Sequence, residues 1–232
     1  GSAEPAMGST ITGIPAAGVT GVLPVGVTGG SGLTALGTIA GNTTFTGNVT
    51  LSGTANSLGN GYTHIETLTA SGSASAMHIE DCFTSTYTNY LLQVTNYKPN
   101  ADGEANKILF STGGTVNTGA YYWYTWAGVK TDGGGDYRVA GRDIAYVYMN
   151  PNTGNNESGA SGTWFIHGPN NSAIYTMANG VGSAHHSSEY QIGGAHSFGW
   201  RGILSFDGIQ LAPATSTMID GAKMTVYGIN GS

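Results

Sequence analysis

Charged side chains are scarce in this sequence. Asp, Glu, Lys and Arg make up 9% of the 232 residues, against about a quarter in an average soluble protein. Just seven are Lys or Arg, and the formal net charge is −6, so the chain lacks the basic stripe that nucleic-acid binding requires. Disorder is not predicted, because aromatic residues reach 10% of the chain and supply apolar surface to bury.

Cysteine and long apolar runs are lacking as well. The one cysteine, Cys82, excludes an intrachain disulfide framework and a Cys-rich zinc site, and we expect it to be a small buried apolar residue. No stretch of the sequence approaches the about 18 consecutive apolar residues that a membrane-spanning helix needs. Membrane insertion is therefore not expected.

Catalytic signatures are also missing. The sequence contains neither G-x-S-x-G nor H-E-x-x-H, which mark a hydrolase nucleophile and a metalloprotease zinc site. Polysaccharide cleavage generally uses two facing carboxylates, whereas the adjacent Glu80 and Asp81 would point to opposite faces of a strand. We therefore expect no enzyme activity, and a polysaccharide depolymerase is kept as a third hypothesis.

Glycine, in contrast, is abundant, at 39 residues, and the composition predicts a turn-rich all-β protein. Residues 1–9 begin with Gly-Ser and are interpreted as an expression remnant or linker. In the glycine- and threonine-rich residues 10–62, alternation places Phe45, Val49 and Leu51 on one face of a short strand. Because one short strand is not stable alone, we expect it to stack on equivalent strands of other chains.

Residues 63–232 predict a second domain, an antiparallel β-sandwich of jelly-roll-like type. Its strands are longer and more aromatic, and clusters of Gly, Asn, Asp and Pro separate them. The predicted strands span 64–69, 74–83, 89–96, 107–111, 120–127, 137–149, 162–167, 173–177, 189–192, 202–211 and 222–229.

Two stretches in the first region, LPVGVTGGSGLTAL and NTTFTGNVTLSG, have recognisable motifs. LPVGVTGGSGLTAL, from Leu23, looks like the LPVANGGTG elements that recur in tail-fibre and tail-spike shafts, with Gly26 and Val27 where that pattern has Ala and Asn. NTTFTGNVTLSG, from Asn42, is similar to the repeats that often follow them. The resemblance implies an intertwined fibre shaft over residues 10–62, three chains in a homotrimer, and contacts with other virion proteins through the shaft.

Three stretches in the second region resemble the C-terminal heads of phage fibres, many of them from marine phages. These are FTSTYTNYLLQVTNYKP from Phe83, ILFSTGGTVNTGAYYW from Ile108, and the closing TSTMIDGAKMTVYGI from Thr215. The resemblance implies an extracellular virion protein, part of a tail or capsid fibre. Its head would bind a host cell-surface glycan or outer-membrane protein. The alternative is a purely structural virion protein, a capsid decoration or fibre-anchoring module.

The most aromatic stretch, AYYWYTWAG from Ala120, suggests a receptor site. On a strand, Tyr122, Tyr124 and Trp126 share one face, opposite Tyr121 and Trp123. An exposed aromatic face would form a platform for sugar rings, and the alternative is that one face is core.

Polar turns would supply the hydrogen bonds of such a receptor site. The candidate turn residues are Asp132, Asp136, Asn170 and Asn171. The two aspartates are also candidate calcium ligands, the alternative being a solvated turn.

Histidines suggest a metal site. SAHHSSEYQIGGAH, from Ser183, places His185, His186, Glu189 and His196 close together in the chain, and imidazole and carboxylate are good ligands for zinc or nickel. The fibre resemblance implies an axial site, in which each of three chains contributes a histidine to one structural metal ion. No other cofactor is expected. The alternative is an exposed polar loop.

Overall fold

A computed structural model describes residues 61–149, 153–155 and 159–229, all within the compact unit Gly53–Ser232. The predicted remnant at 1–9 and nearly all of the predicted shaft at 10–62 lie outside the described residues. The described part is all-β and contains no helix, hence none that could cross a membrane. Its strands are β1 (Tyr62–Thr69), β2 (Met77–Ile79), β3 (Asn89–Tyr97), β4 (Asn106–Thr112), β5 (Thr115–Val116), β6 (Tyr122–Lys130), β7 (Asp136–Ile144), β8 (Val147–Tyr148), β9 (Ala160–His167), β10 (Thr176–His185), β11 (Gln191–Trp200), β12 (Gly208–Pro213) and β13 (Lys223–Ile229).

These strands form two antiparallel sheets. The larger has eight strands in the order β1-β13-β3-β9-β10-β11-β6-β7, and the smaller has the order β2-β12-β4-β5 with β8 also paired to β4. The predicted all-β, antiparallel fold is confirmed, and the arrangement is larger than the about eight strands of a simple jelly roll. The predicted strand 137–149 is divided in the structure, because the chain turns between β7 and β8.

The core lies between the two sheets and centres on Phe110 of β4. Its ring centroid lies 6.1 Å from that of Tyr122 and 6.2 Å from that of Phe198, which are both in the larger sheet. The Tyr122 hydroxyl accepts a hydrogen bond from the Phe110 N–H at 2.7 Å and donates to the carbonyl of Asn117 at 3.0 Å. This hydroxyl therefore ties the larger sheet to the smaller one. Cys82 is buried as expected, at 1% exposure, and burial raises the pKa of its thiol to about 12.

Glycines form a row across four strands of the larger sheet. The paired residues are Gly162 on β9, Gly182 on β10, Gly194 on β11 and Gly128 on β6. A Cβ on Gly162 would come within 2.2 Å of the Trp164 ring, and one on Gly128 within 2.6 Å of the Trp126 ring. The missing side chains therefore leave space that the two buried indoles occupy.

Strands β10 and β11 differ most from the sequence-based expectation. Residues 173–177 and 189–192 were expected as short strands, whereas β10 and β11 run for ten residues each. Their extra length includes Gly180, Gly182, Gly193 and Gly194, residues that usually interrupt a strand pattern. At Gly180 and Gly194 neighbouring backbones approach closely: an added Cβ would come within 2.0 Å of the Thr163 carbonyl oxygen and within 2.2 Å of the Ala127 carbonyl oxygen, respectively.

Candidate functional site

The aromatic strand β6 alternates as expected, but its candidate binding residues face the core. Tyr122, Tyr124 and Trp126 are 0%, 6% and 2% exposed. These three residues therefore do not form an exposed glycan platform. Tyr122 and Tyr124 pack against Phe110 and Tyr148 of the smaller sheet, as the alternative of a core face expects, and Trp126 packs against Tyr137 of β7. Trp123 and Tyr121 lie on the opposite, outward side, where Tyr121 is exposed and Trp123 is partly exposed.

A shallow cleft of about 450 Å³ surrounds Trp123 on the outer face of the larger sheet. The indole lies across Gly199 of the neighbouring strand β11, where an added Cβ would come within 2.5 Å of the indole Nε1. The outward side chains that line this Trp123 cleft are Trp123, Thr125, Ala140, Arg142, Met177 and Ser197. The cleft thus combines an aromatic surface, a thioether, two hydroxyls and a guanidinium.

The outer face around the cleft carries almost no charge. None of the outward residues on β3, β9, β10, β11 and β6 is Asp, Glu, Lys or Arg. Several of them are exposed apolar side chains, including Phe165, Met177 and Val181 at 38%, 50% and 63% exposure.

Arg142 belongs to a small ion cluster at one edge of the cleft. Its Nε lies 3.4 Å from Asp143 Oδ2, and Arg201 Nη2 lies 2.5 Å from Asp143 Oδ1. Asp143 has a φ of 56° and is the extra residue of a β-bulge, since the β6–β7 register shifts between Tyr122 and Trp123. Aspartate tolerates this left-handed conformation better than most residues, and bulges re-aim neighbouring side chains.

The remaining predicted receptor residues lie at opposite ends of the larger sheet. Asp132 lies in the β6–β7 turn and Asp136 is the first residue of β7, and both are exposed. Asp132 Oδ1 accepts the N–H of Gly134 at 2.7 Å, and Asp136 pairs with Arg138 at 2.7 Å. These contacts are local to the turn, as the solvated-turn alternative expects.

Asn170 and Asn171 lie in the β9–β10 loop, at the other end of the larger sheet. They line a polar cup of about 280 Å³ together with Thr84, Ser85, Tyr87, Thr88, Gly168 and Ser172. The Asn170 amide is engaged in the fold, since its Nδ2 donates to the carbonyls of Phe83 at 2.7 Å and Phe206 at 3.3 Å. The structure therefore does not bring these asparagines together with the aspartates or with the Trp123 cleft.

The three predicted metal ligands do not converge within one chain. His185 pairs with Gln191, and His196 lies five residues further along β11, which is roughly 17 Å. His196 is 1% exposed, its Nδ1 accepts the indole N–H of Trp164 at 3.0 Å, and burial lowers its pKa to about 3. His186 stacks on Tyr190 with centroids 4.3 Å apart, and burial lowers its pKa.

Among the described residues, no three His, Cys, Asp or Glu side chains are grouped as metal ligands. A site shared between chains on a trimer axis stays a prediction.

The sequence alone did not bring Trp123, Met177 and Arg142 together in one site. Alternation already separated Trp123 from the residues that proved to be core. It could not identify the covered face, because that depends on contacts with β4, which is distant in the sequence.

Comparison of the chain with models of protein families, with curated proteins and with solved structures found no match.

Proposed function

We propose that this chain is part of a trimeric phage virion fibre, and that residues 63–232 form a head that binds a host cell-surface glycan. The observation that carries the proposal is the partly exposed Trp123 indole in an open cleft bordered by hydrogen-bonding side chains. The fibre context comes from the resemblance of the Phe83, Ile108 and Thr215 stretches to phage fibre heads.

The composition of the cleft suits a sugar ligand. The C–H bonds on the face of a sugar ring pack well on the electron-rich face of an indole. Thr125 and Ser197 border Trp123 with hydroxyls that can both donate and accept hydrogen bonds. The cleft volume of about 450 Å³ falls within the range of about 300–1,000 Å³ that is usual for ligand sites.

The cleft is better suited to binding a glycan than to cleaving it. Glycoside hydrolysis generally needs two carboxyl groups on either side of the scissile bond. The described residues that line the Trp123 cleft include no carboxylate. We therefore propose attachment rather than depolymerisation.

Replacing Trp123 with alanine tests the proposed site. We expect W123A to weaken binding to a bacterial surface polysaccharide about tenfold, because one aromatic contact is worth about 1.5 kcal/mol. The measurement is the apparent Kd of fluorescently labelled protein on an array of bacterial surface polysaccharides. F165A is the matched control, because Phe165 is an exposed aromatic on the same sheet face but does not line the cleft. Equal binding by W123A and the wild type would contradict the proposed site.

The structural alternative is favoured by the uncharged apolar outer face, which another copy of the chain could cover. We expect light scattering to give about 71 kDa, three copies of the 23.7-kDa chain. If the Trp123 cleft stays open in the trimer, as glycan binding requires, dilute peroxide should oxidise Met177. Its side chain is 50% exposed, while the other methionines of the described residues are at most 3% exposed. Peptide mass spectrometry measures this oxidation, and protection of Met177 in the trimer would favour the structural alternative over the glycan site.

A further inference from the structure

We infer that the Trp123 cleft recognises an anionic group, a carboxylate or sulfate carried by an acidic sugar residue. This inference rests on the proposed glycan-binding function and narrows its ligand class. It is carried by the position of Arg142 beside Trp123 and by the excess of positive charge in the ion cluster at the cleft edge.

Arg142 lies directly beside the aromatic surface. Arg142 and Trp123 are cross-strand partners in the β6–β7 ladder, so their side chains leave the same face of the sheet about 5 Å apart at the Cβ atoms. Both side chains line the cleft. A sugar ring that packs on the indole therefore places its substituents within reach of the guanidinium.

The β-bulge determines which charge lies next to Trp123. Tyr122 pairs with Ile144, and continuing that register would place Asp143 opposite Trp123. Because Asp143 is the extra residue, Arg142 takes that position instead. The bulge thus replaces a carboxylate by a guanidinium beside the indole.

The ion cluster leaves Arg142 available to a ligand. Asp143 is shared by two guanidinium groups, so the cluster carries one positive charge in excess. The closer of the two contacts belongs to Arg201 at 2.5 Å, whereas Arg142 is 3.4 Å away through its Nε. The Arg142 side chain is 72% exposed, and the planar guanidinium of arginine suits bidentate pairing with a carboxylate or sulfate.

The chain provides a matched control on the same strand. Arg138 is 76% exposed and pairs with Asp136 at 2.7 Å. It lies four residues from Arg142 along β7, roughly 13 Å away, and it does not line the Trp123 cleft. R142Q and R138Q therefore remove the same charge from equally exposed positions inside and outside the site.

The test compares three immobilised polysaccharides: alginate as a polyuronate, a sulfated galactan, and neutral dextran. The wild-type chain is expected to bind one of the two acidic polysaccharides at least tenfold more tightly than dextran. R142Q should lose about tenfold on that polysaccharide, because a hydrogen-bonded charge pair is removed, and R138Q should lose less than about twofold. Preference for alginate identifies the carboxylate as the recognised group, and preference for the galactan identifies the sulfate.

Two other outcomes separate the inference from the function on which it rests. Binding to dextran equal to that of the acidic polysaccharides, with no effect of R142Q, would overturn the anionic ligand and leave glycan binding in place. Equal losses in R142Q and R138Q would also overturn it, because the effect would then reflect net charge and not the cleft. Binding to none of the three, together with no retention on the bacterial polysaccharide array, would overturn the proposed function itself.

Discussion

Replacing Gly194 with alanine is expected to lower the free energy of unfolding by about 3 kcal/mol. The same substitution at the adjacent Gly193 is expected to change it by less than about 1 kcal/mol, with stabilisation as the favoured sign, since alanine restricts the unfolded chain more than glycine does. The two variants differ by one position in the middle of β11. A large difference between their free energies of unfolding would show that the loss in G194A comes from the packing of the glycine row.

The difference follows from what an added Cβ would meet. At Gly194 it would come within 2.2 Å of the Ala127 carbonyl oxygen and within 2.5 Å of the Gly128 Cα. Both are backbone atoms of β6, so neither can move aside without distorting the ladder. At Gly193 the described residues leave the Cβ position open to a radius of 4 Å.

Urea unfolding followed by tryptophan fluorescence measures both variants against the wild type. Because about 1 kcal/mol corresponds to roughly 2–4 °C in a domain of this size, G194A should also melt roughly 6–12 °C lower. A G194A protein as stable as G193A would contradict the close approach of β11 to β6. It would also remove the reason for glycine at this position of the row.

The sequence predicted strand-forming residues well and glycine-rich strands poorly. Strands β3, β4 and β13 were expected almost at their observed bounds, because alternating aromatic and branched residues identify a strand with one buried face. β10 and β11 were expected as short strands, because glycine is unfavourable in an isolated strand. Their length depends on the register that aligns Gly182 with Gly162 and Gly194, and that register is a long-range property.

The candidate site was predictable only in part, because it too depends on contacts between strands that are distant in the sequence. Alternation separated Trp123 from Tyr122 and Tyr124, but the choice of the buried face depended on packing against Phe110. The partnership of Trp123 and Arg142 depended on the bulge at Asp143, which a hydrophobic pattern does not reveal. The sequence therefore predicted strand β6 and the residues on each of its two faces. Contacts between distant strands determined which face is buried and which residue lies beside Trp123.

Replacing Glu104 is also expected to lower the stability of the fold strongly. Its buried carboxylate joins the chain at residue 104 to the segment 215–216. It is 6% exposed, and its oxygens accept the backbone N–H groups of Thr215 and Ser216 and the hydroxyl of Ser216. Burial by itself would raise the pKa of Glu104, but these hydrogen bonds outweigh it and lower the pKa below its usual value. The ionised form is therefore favoured in the folded protein.

We expect E104Q to lower the free energy of unfolding by about 3 kcal/mol at pH 7, because hydrogen bonds to a charged group are worth about 1.5–3 kcal/mol and the amide nitrogen cannot accept one. A depressed carboxyl pKa stabilises the folded state above the unfolded-state pKa, about 4.3. That contribution is lost as the pH falls through the lower pKa of the folded state. The difference between wild type and E104Q should therefore shrink between pH 5 and pH 3.

The matched control is E80Q, since Glu80 has a 57% exposed side chain and contacts His78 at 3.4 Å. An exposed ion pair is worth about 0–1 kcal/mol, so E80Q should stay close to the wild type across the same pH range. Urea unfolding at pH 7 and at pH 3.5 gives all the required values. If E104Q and the wild type lost stability in parallel on acidification, the acid sensitivity would come from other carboxylates. The charge of Glu104 would then make no contribution to the stability of the fold, which contradicts the prediction.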